Sequence, residues 1–402
     1  MIGEGSATAV ALLRLPGTIR ERCGNMLAAG LARRLDHFDV ALARLPAAAE
    51  CVADVTRRRY PSLDIPYHSR WRHLDAGGVR RRDALRAAIG TLPADEQARA
   101  KIDLIVTSVL LDAGAGDAWR FTETQTGQTF SRSEGLAVAS FRMFEAGLFS
   151  SDPSHPWRTD AVALAKLDER RLAAGFQVSA ENPLIGLAGR LGLLQSLGRT
   201  LKGARIGDLF DGLRRRAPHG RLEAQSILEE VLVALGGIWP RRTELDGVSL
   251  GDTWPHRAAG GHGPSAGLVP LHKLSQWLTY SLVEPLEESG LTISGLDRLT
   301  GLAEYRNGGL FVDLEVLVPT HPEVSAVVHS PESEVVVEWR ALTVALLDSL
   351  APLVAGCLGL PPAQLPLIKL LEGGTWAAGR ELAAAKRGGA PPIRVATDGT
   401  VF

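Results

Sequence analysis

The spacing of hydrophobic positions predicts helices along most of the chain. Apolar residues recur at steps of three and four from Leu27 to Leu42, and again from Ile102 to Val109, as on the buried face of a helix. Alternation typical of β-strands is confined to about residues 120–130 and to the last residues, where a DG pair predicts a hairpin turn. We therefore predict a predominantly α, multi-helix globular body with minor β structure.

The length of the chain permits more than one division into domains. At 402 residues it could form one large domain or two to three ordinary ones. We predict an N-terminal helical region at 1–204 and a C-terminal helical region at 205–402 that carries the candidate site. The alternative is one interleaved domain.

Composition favours a protein of the cytoplasm and leaves small anionic substrates open. Hydrophobic residues make up 45% of the chain, charged residues 22%, and the net charge is -1, which predicts neither a nucleic-acid nor a membrane partner. Three scattered cysteines without C-x-x-C spacing fit a reducing compartment, and no apolar run reaches the ~18 residues of a membrane helix. The ten histidines lack metal-ligand spacing, so we expect no metal and no cofactor. The oligomeric state stays open.

Polar side chains are concentrated in an otherwise apolar stretch, 270–316. On its first helix leucines form one face, and the opposite stripe carries Lys273, Gln276, Trp277 and Tyr280. Such a stripe is more often an exposed polar face, but Trp and Tyr normally seek burial with a satisfied polar tip. We therefore take this stretch as the candidate site.

A compact polar motif, LAEYRNGG, lies near the end of the same stretch. Glu304, Arg306 and Asn307 lie beside Tyr305 between apolar segments, and the two glycines after them permit close approach of the backbone. A carboxylate on an apolar element is costly unless it is paired or used in chemistry. We interpret Glu304 as functional, with a structural Glu–Arg pair as the alternative.

Cationic and acidic groups elsewhere are secondary candidates. The loop 58–78 gathers Tyr67 and Arg70 with other aromatic and basic residues, either as a surface crossing or as a wall that faces an anion. Asp112 ends a buried helix, where the helix dipole disfavours a carboxylate, so it either serves a turn or belongs to the site. Glu134 lies in the first turn of a later helix, where the dipole favours a carboxylate.

Long motifs spread over nearly the whole chain resemble those of the uracil-catabolism protein 4 family, which belongs to the reductase-independent route that degrades uracil. The motifs are IPYHSRWRH, GVRRRDAL, LLDAGAG, SRSEGLAVASFRMFEAGLFS, ENPLIGLAGR, HKLSQWLTYSL, AEYRNGGLFVDL and GTWAAGR. In that route uracil is converted to its ribose phosphate, a cyclohydrolase-like enzyme opens the ring, and urea is among the products. The resemblance implies a role in uracil catabolism.

Two of these motifs, HKLSQWLTYSL and AEYRNGG, are also similar to a pattern in queuosine-phosphate N-glycosidases. There a lysine–glutamine helix precedes an alanine–aspartate–tyrosine–arginine motif, and the fold is similar to that of helix-hairpin-helix DNA glycosylases. The aspartate is the catalytic carboxylate, so the resemblance implies this role for Glu304, with Lys273 as the accompanying cation. The chain departs from this pattern in two ways. It has glutamate in place of aspartate, and it has Asn307 and two glycines where the N-glycosidases have a proline-containing continuation.

Together the two resemblances imply an enzyme, an N-ribosidase that hydrolyses ribosylurea 5-phosphate to urea and ribose 5-phosphate. Glu304 would stabilise an oxocarbenium-like transition state and activate water, with Lys273 beside it. Asp112, Glu134 or Asp313 would be the acid that protonates urea. The side chains expected to bind the substrate are Tyr67, Arg70, Trp119, Arg132, Glu134, His272, Gln276, Trp277, Tyr280, Tyr305, Arg306, Asn307 and Asp313. The alternatives are a ureido- or amidohydrolase that acts on an earlier ring-opened nucleotide, and a non-catalytic protein that binds a pathway nucleotide.

Overall fold

Helices dominate the computed structural model, which describes residues 3–201 and 204–396. The α-helices are α1 (Glu4–Leu13), α2 (Pro16–Leu31), α3 (Leu45–Arg59), α4 (Arg70–His73), α5 (Arg81–Ile89), α6 (Ala94–Leu110), α7 (Arg132–Glu145), α8 (Ala161–Lys166), α9 (Glu169–Gly175), α10 (Leu187–Thr200), α11 (Leu209–Arg215), α12 (Ala224–Ala234), α13 (Lys273–Glu287), α14 (Tyr305–Asp313), α15 (Glu323–Ala326), α16 (Glu334–Leu358), α17 (Leu367–Leu370) and α18 (Trp376–Arg387). The short strands are β1 (Phe38–Val40), β2 (Phe121–Thr122), β3 (Thr129–Phe130), β4 (Arg221–Glu223), β5 (Glu244–Leu245), β6 (Val248–Ser249), β7 (Thr253–Pro255), β8 (Leu268–Pro270), β9 (Thr292–Ser294), β10 (Leu317–Pro319), β11 (Val328–His329) and β12 (Arg394–Val395). The predicted predominantly α fold is confirmed. The likeness to DNA glycosylases stays a prediction, and the predicted hairpin turn lies outside the described residues.

One compact unit consists of the described residues up to His68 together with Arg242–Gln276 and Gly295–Ala396. In it α16 packs against α2 and α3, and α14 packs against α18. α16 is buried along much of its length, because its sequence is apolar nearly all round. Its length and composition would allow it to cross a membrane, but 61% of its most apolar window is buried, as in a core helix. The cytoplasmic location and the lack of a membrane partner stay predictions.

The other unit consists of Ser69–Arg241 and Trp277–Ser294. Its α6 carries an unbroken run of buried residues from Ala100 to Leu110, as its apolar spacing predicts. α7 packs against α6, and α10 packs against α8. The division of the chain at residue 204 stays a prediction.

Short two-stranded sheets join distant segments within each unit. β2 and β3 pair antiparallel where the sequence alternates as predicted. β1 pairs with β10, so the helix predicted as far as Leu42 is wrong beyond Leu31, where α2 ends. Leu35 and Phe38 are nevertheless buried. Their helical spacing reflected burial alone, and tertiary strand pairing decided the backbone conformation.

The antiparallel pair β7–β8 positions the start of α13. Thr253 lies opposite Pro270, which brings the preceding residue, Asp252, beside the first turn of that helix. Leu271 and His272 donate their backbone N–H groups to the carbonyl of Asp252, at 2.9 and 3.2 Å. The polar stripe predicted on this helix therefore begins at a point fixed by strand pairing.

Candidate functional site

Glu304 is the N-cap residue of α14. Its backbone is extended, and its carboxylate accepts the backbone N–H groups of Arg306, at 2.7 Å, and Asn307, at 2.5 Å. The first N–H groups of a helix have no partner within it, and a capping carboxylate provides one at the positive end of the helix dipole. The side chain is also buried, so the helix N-terminus holds a carboxylate that solvent scarcely reaches.

Burial raises the pKa of Glu304 above its ordinary value. The two backbone N–H groups and the charges of Lys273 and Arg306 favour the ionised form, but they do not fully offset the loss of solvent. A carboxylate with a raised pKa exchanges its proton nearer to neutral pH. This property suits a general base.

The side chain of Arg306 turns towards other partners. Its Nη1 donates to the carbonyl of Gly389 at 3.0 Å, and its guanidinium lies 4.7 Å from the centroid of the Tyr305 ring. Glu304 contacts Arg306 through the backbone N–H group. The structural alternative for Glu304 is therefore a helix cap that uses the backbone of Arg306 rather than its guanidinium.

Lys273 begins α13 next to a residue in an unusual conformation. His272 has a φ of 44°, in the left-handed region that residues other than glycine seldom adopt. Its ring Nε2 lies 3.0 Å from the carbonyl of Leu13, and burial lowers the pKa of the ring. The backbone N–H of Lys273 donates to Asp252 Oδ2 at 2.9 Å. The positive charge of its ammonium group favours the ionised form of Glu304. Tertiary contacts thus hold a strained turn that presents Lys273.

Two buried amides lie on the same helix turns as Lys273 and Glu304. Gln276 donates from Nε2 to Thr300 Oγ1 at 2.9 Å, and Asn307 donates from Nδ2 to the Leu302 carbonyl at 3.3 Å. Their oxygens, Gln276 Oε1 and Asn307 Oδ1, are buried and have no hydrogen-bond partner within residues 3–201 and 204–396. Buried polar atoms are normally paired, so these two acceptors mark a place for a ligand or water. We name this group the Glu304 cluster, which comprises Lys273, Gln276, Thr300, Glu304 and Asn307.

One guanidinium that the sequence did not indicate joins the two parts of the Glu304 cluster. Arg340, on α16, donates to both carboxylate oxygens of Asp252 at 2.7 Å, and from Nε to the carbonyl of Ala303 at 3.1 Å. Asp252 holds the first turn of α13, and Ala303 directly precedes Glu304. Burial opposes ionisation of Asp252, but Arg340 outweighs it and holds the pKa of that carboxyl well below its usual range. An arginine within an apolar helix was the only sequence signal, and it does not identify a partner 88 residues away.

Glycines allow α14 to approach its neighbours closely. A Cβ atom at Gly308 would lie 2.6 Å from Trp339 Nε1 on α16, so the close approach predicted there is present. A Cβ atom at Gly379, on α18, would lie 2.1 Å from the carbonyl oxygen of Arg306. Because larger side chains would push the helices apart, these contacts fix the position of the helix end that carries Glu304.

Two further predicted residues of this unit have partners that the sequence did not specify. Asp313 accepts hydrogen bonds from Arg387 at 2.7 and 2.6 Å, one on each carboxylate oxygen, and so ties the end of α14 to α18. Tyr67 is half-buried, and Lys369 Nζ lies 6.0 Å from the centroid of its ring. Asp313 therefore has a structural role in this unit.

In the other unit, Asp112 is the centre of a second polar cluster. It pairs with Arg70 Nη2 at 2.7 Å and accepts hydrogen bonds from Ser133 Oγ at 2.9 Å and Trp277 Nε1 at 3.1 Å. Burial lowers the pKa of Arg70, while the charge of Asp112 opposes that shift. Arg190, also buried, donates to carbonyls on both sides of Asp112, at 2.9 and 2.8 Å. Three donors explain how a carboxylate is tolerated after a helix C-terminus.

The remaining predicted residues of that unit differ in exposure. Trp119 is buried and donates from Nε1 to a backbone carbonyl at 2.9 Å, and Tyr280 is buried on α13. Arg132 has a left-handed φ of 54° and pairs at 3.5 Å with the exposed Asp117. Glu134 is half-buried in the first turn of α7. Arg132 and Glu134 therefore keep more access to solvent than the two aromatic residues.

A histidine and two glutamates in the first unit lie close enough together to hold a metal ion. His256 Nδ1 accepts the N–H of Ala258 at 3.0 Å, which places the ring proton on Nε2. Nε2 lies 3.3 Å from one carboxylate oxygen each of Glu334 and Glu338. A protonated Nε2 donates to carboxylates and does not bind a metal ion. The geometry therefore favours a hydrogen-bonded cluster, and the expected lack of a metal stays a prediction.

The fold and the Glu304 cluster define a helical protein with a buried polar site at the meeting of two helix N-termini, those of α13 and α14. The chain belongs to the family described as "Protein of unknown function (DUF1688)", whose model matches residues 12–402. It is 39% identical to "Protein urg3" of Schizosaccharomyces pombe over 410 residues, which cover 99% of this chain and 100% of that protein. It is 40% identical to "Uracil catabolism protein 4" of Lachancea kluyveri over 408 residues, 91% of this chain and 92% of the relative. The family resemblance inferred from the motifs is confirmed.

Proposed function

We propose that the protein acts in uracil catabolism as an N-ribosidase that hydrolyses ribosylurea 5-phosphate to urea and ribose 5-phosphate. One observation carries the chemistry: Glu304 is a buried carboxylate with a raised pKa at a helix N-terminus, within electrostatic reach of Lys273. The name of the Lachancea kluyveri relative, "Uracil catabolism protein 4", supports the pathway. The motif similarity to queuosine-phosphate N-glycosidases supports the choice of bond.

In the proposed reaction the bond between the ribose C1 and the urea nitrogen breaks as water adds to C1. Glu304 takes a proton from the water, whose oxygen bonds to C1, and the electron pair of the broken bond passes to the urea nitrogen. Positive charge develops on the ribose ring in the transition state, and the carboxylate of Glu304 stabilises it. Urea is a poor leaving group, so the nitrogen must receive a proton as the bond breaks.

Lys273 keeps the carboxylate of Glu304 available for this role. Its positive charge favours the ionised form against the effect of burial. The same ammonium, at the start of α13, is suited to bind the substrate phosphate, because charge-assisted contacts to phosphate are strong. Arg306 is the less suitable phosphate ligand, because its guanidinium already binds Gly389 and lies over Tyr305.

The choice of Asp112, Glu134 or Asp313 as the acid that protonates the leaving nitrogen stays a prediction. Arg387 occupies both oxygens of Asp313, so we assign Asp313 to structure. Asp112 and Glu134 lie in the other unit and keep that role only as a prediction from the sequence. Substitution of the true acid should slow release of urea but should spare an analogue whose leaving group needs no proton.

Release of urea from synthetic ribosylurea 5-phosphate by the purified protein tests the proposal. Glu304→Gln keeps the size of the side chain and one acceptor for the helix cap, but it cannot take a proton, so kcat should fall by about 10²- to 10⁴-fold. Glu315→Gln changes an exposed carboxylate just beyond the same helix and should keep the wild-type rate. Undiminished release by Glu304→Gln would remove the proposed role of that residue.

A further inference from the structure

The unpaired amide oxygens of the Glu304 cluster carry information about the substrate. Gln276 and Asn307 are 0% and 1% exposed, and each leaves one buried acceptor without a partner among the residues that the structure describes. An amide buried for structure alone would normally have both ends satisfied. Two such acceptors in one cluster therefore suggest that a ligand with N–H donors completes them.

The orientation of the Asn307 amide follows from its neighbour. The Leu302 carbonyl can only accept, so the NH₂ group of Asn307 must face it, at 3.3 Å, and the oxygen must point elsewhere. The NH₂ group of Gln276 faces Thr300 Oγ1 at 2.9 Å. Both nitrogens thus attach to the three residues from Thr300 to Leu302, just before Glu304. The two oxygens are the ends left for a ligand.

We propose that Gln276 and Asn307 recognise the N–H groups of a ureido group on the substrate. This inference rests on the proposed function, and it adds the reason why the ring-opened compound is chosen. A ureido group ends in an NH₂ with two donors, which matches two acceptor oxygens. The intact uracil ring has a single N–H between two carbonyls, and those carbonyls would face the amide oxygens. A buried site rejects a compound that leaves its polar groups unpaired.

Two substrates and three variants test the assignment. The substrates are ribosylurea 5-phosphate and an analogue whose terminal nitrogen carries two methyl groups and therefore no N–H. Wild type should prefer the parent by about 10- to 100-fold in kcat/KM. Gln276→Met and Asn307→Leu should each lose much of that preference, whereas Gln276→Glu keeps an acceptor and should retain more of it. A preference that both apolar variants keep unchanged would overturn the inference.

Binding measurements separate this inference from the proposed reaction. Calorimetry with Glu304→Gln, which cannot take a proton from water, gives the Kd of both compounds without turnover. A wild type that releases no urea refutes the proposed function alone. Equal Kd values for the parent and the dimethyl analogue would refute ureido recognition, even if the Gln276 and Asn307 variants failed to fold. Gln195→Met is the matched control, because it removes an amide that donates to the Leu167 carbonyl outside the Glu304 cluster. It should keep the wild-type ratio.

Discussion

Replacing Arg340 with methionine should destabilise the unit that contains Glu304 by about 3–5 kcal/mol. The guanidinium is buried, with 3% of its side chain exposed, and it donates to both oxygens of Asp252 at 2.7 Å and to the Ala303 carbonyl at 3.1 Å. Methionine fills much of the same volume, so the loss comes from polar interactions rather than from a cavity.

Most of that cost arises from the carboxylate left behind. The side chain of Asp252 is 17% exposed, and without Arg340 it becomes a poorly solvated charge that lacks its main counter-ion. In the double variant Arg340→Met/Asp252→Asn that charge is gone, so we expect it to be more stable than Arg340→Met alone. Because folding lowers the pKa of Asp252, the pair contributes fully above the unfolded value of about 3.9 and loses its contribution as the pH falls through the folded pKa. The deficit of Arg340→Met should therefore shrink in acid.

Urea unfolding at low ionic strength, followed by circular dichroism, measures these differences. The control is Arg44→Met, which breaks an ion pair whose partners are 61% and 66% exposed and should cost less than about 1 kcal/mol. A loss below about 1 kcal/mol for Arg340→Met would show that the contacts of Arg340 with Asp252 and Ala303 do not stabilise the unit. A double variant that is no more stable than the single one would show that the carboxylate left behind is not the source of the cost. Turnover should fall together with stability, because the same guanidinium positions the residue before Glu304.

Three further predictions address Glu304 and its helix. Glu304→Asp should keep the helix cap, because aspartate is a favoured N-cap residue, and circular dichroism checks this. The same substitution should lower kcat by about 10²-fold, because the carboxylate moves back by about 1.5 Å, and steady-state kinetics measure that loss. Because burial raises the pKa of Glu304, activity should fall as the pH drops through that raised pKa, and the acid limb of the kcat/KM profile should lie above the ~4.3 of a solvated glutamate. The raised pKa of Glu304 also stabilises the fold at pH values below the unfolded pKa, and this stabilisation is lost as the pH rises through the folded pKa. Comparing the pH dependence of Tm between wild type and Glu304→Gln measures this effect. Gly379→Ala should destabilise by about 1–3 kcal/mol in urea unfolding, because its Cβ would lie 2.1 Å from the Arg306 carbonyl oxygen. Gly24→Ala, on an exposed helix position with no atom within 4 Å of the new Cβ, should be neutral or stabilising.

Much of the fold could be predicted from local patterns. The periodicity of apolar residues predicted a helical protein, and the burial of α6 followed from its apolar run. The same periodicity failed between Leu31 and Leu42, because burial of Leu35 and Phe38 is compatible with a strand as well as a helix. Only the distant partner, β10, decides between the two, and single-sequence periodicity does not identify it.

The candidate site was only partly predictable for the same reason. Glu304 and Gln276 could be selected because polar groups in apolar sequence are costly unless they have a use. Asp252 and Arg340 were missed, since one lies in a glycine-rich loop and the other in a long apolar helix, α16. Their pairing depends on tertiary contacts between residues 88 positions apart. The helix cap that Glu304 provides was also not predicted. A carboxylate three residues before Asn307 is compatible with the start of a helix.

The products that the wild-type protein forms from ribosylurea 5-phosphate decide whether it is an N-ribosidase. Mass spectrometry and a urea assay on the same reaction identify which bond breaks. We predict urea and ribose 5-phosphate in equal amounts. Ammonia with the ribose still bonded to nitrogen would contradict an N-ribosidase and indicate a ureidohydrolase, and binding without any product would indicate a protein that only binds the nucleotide.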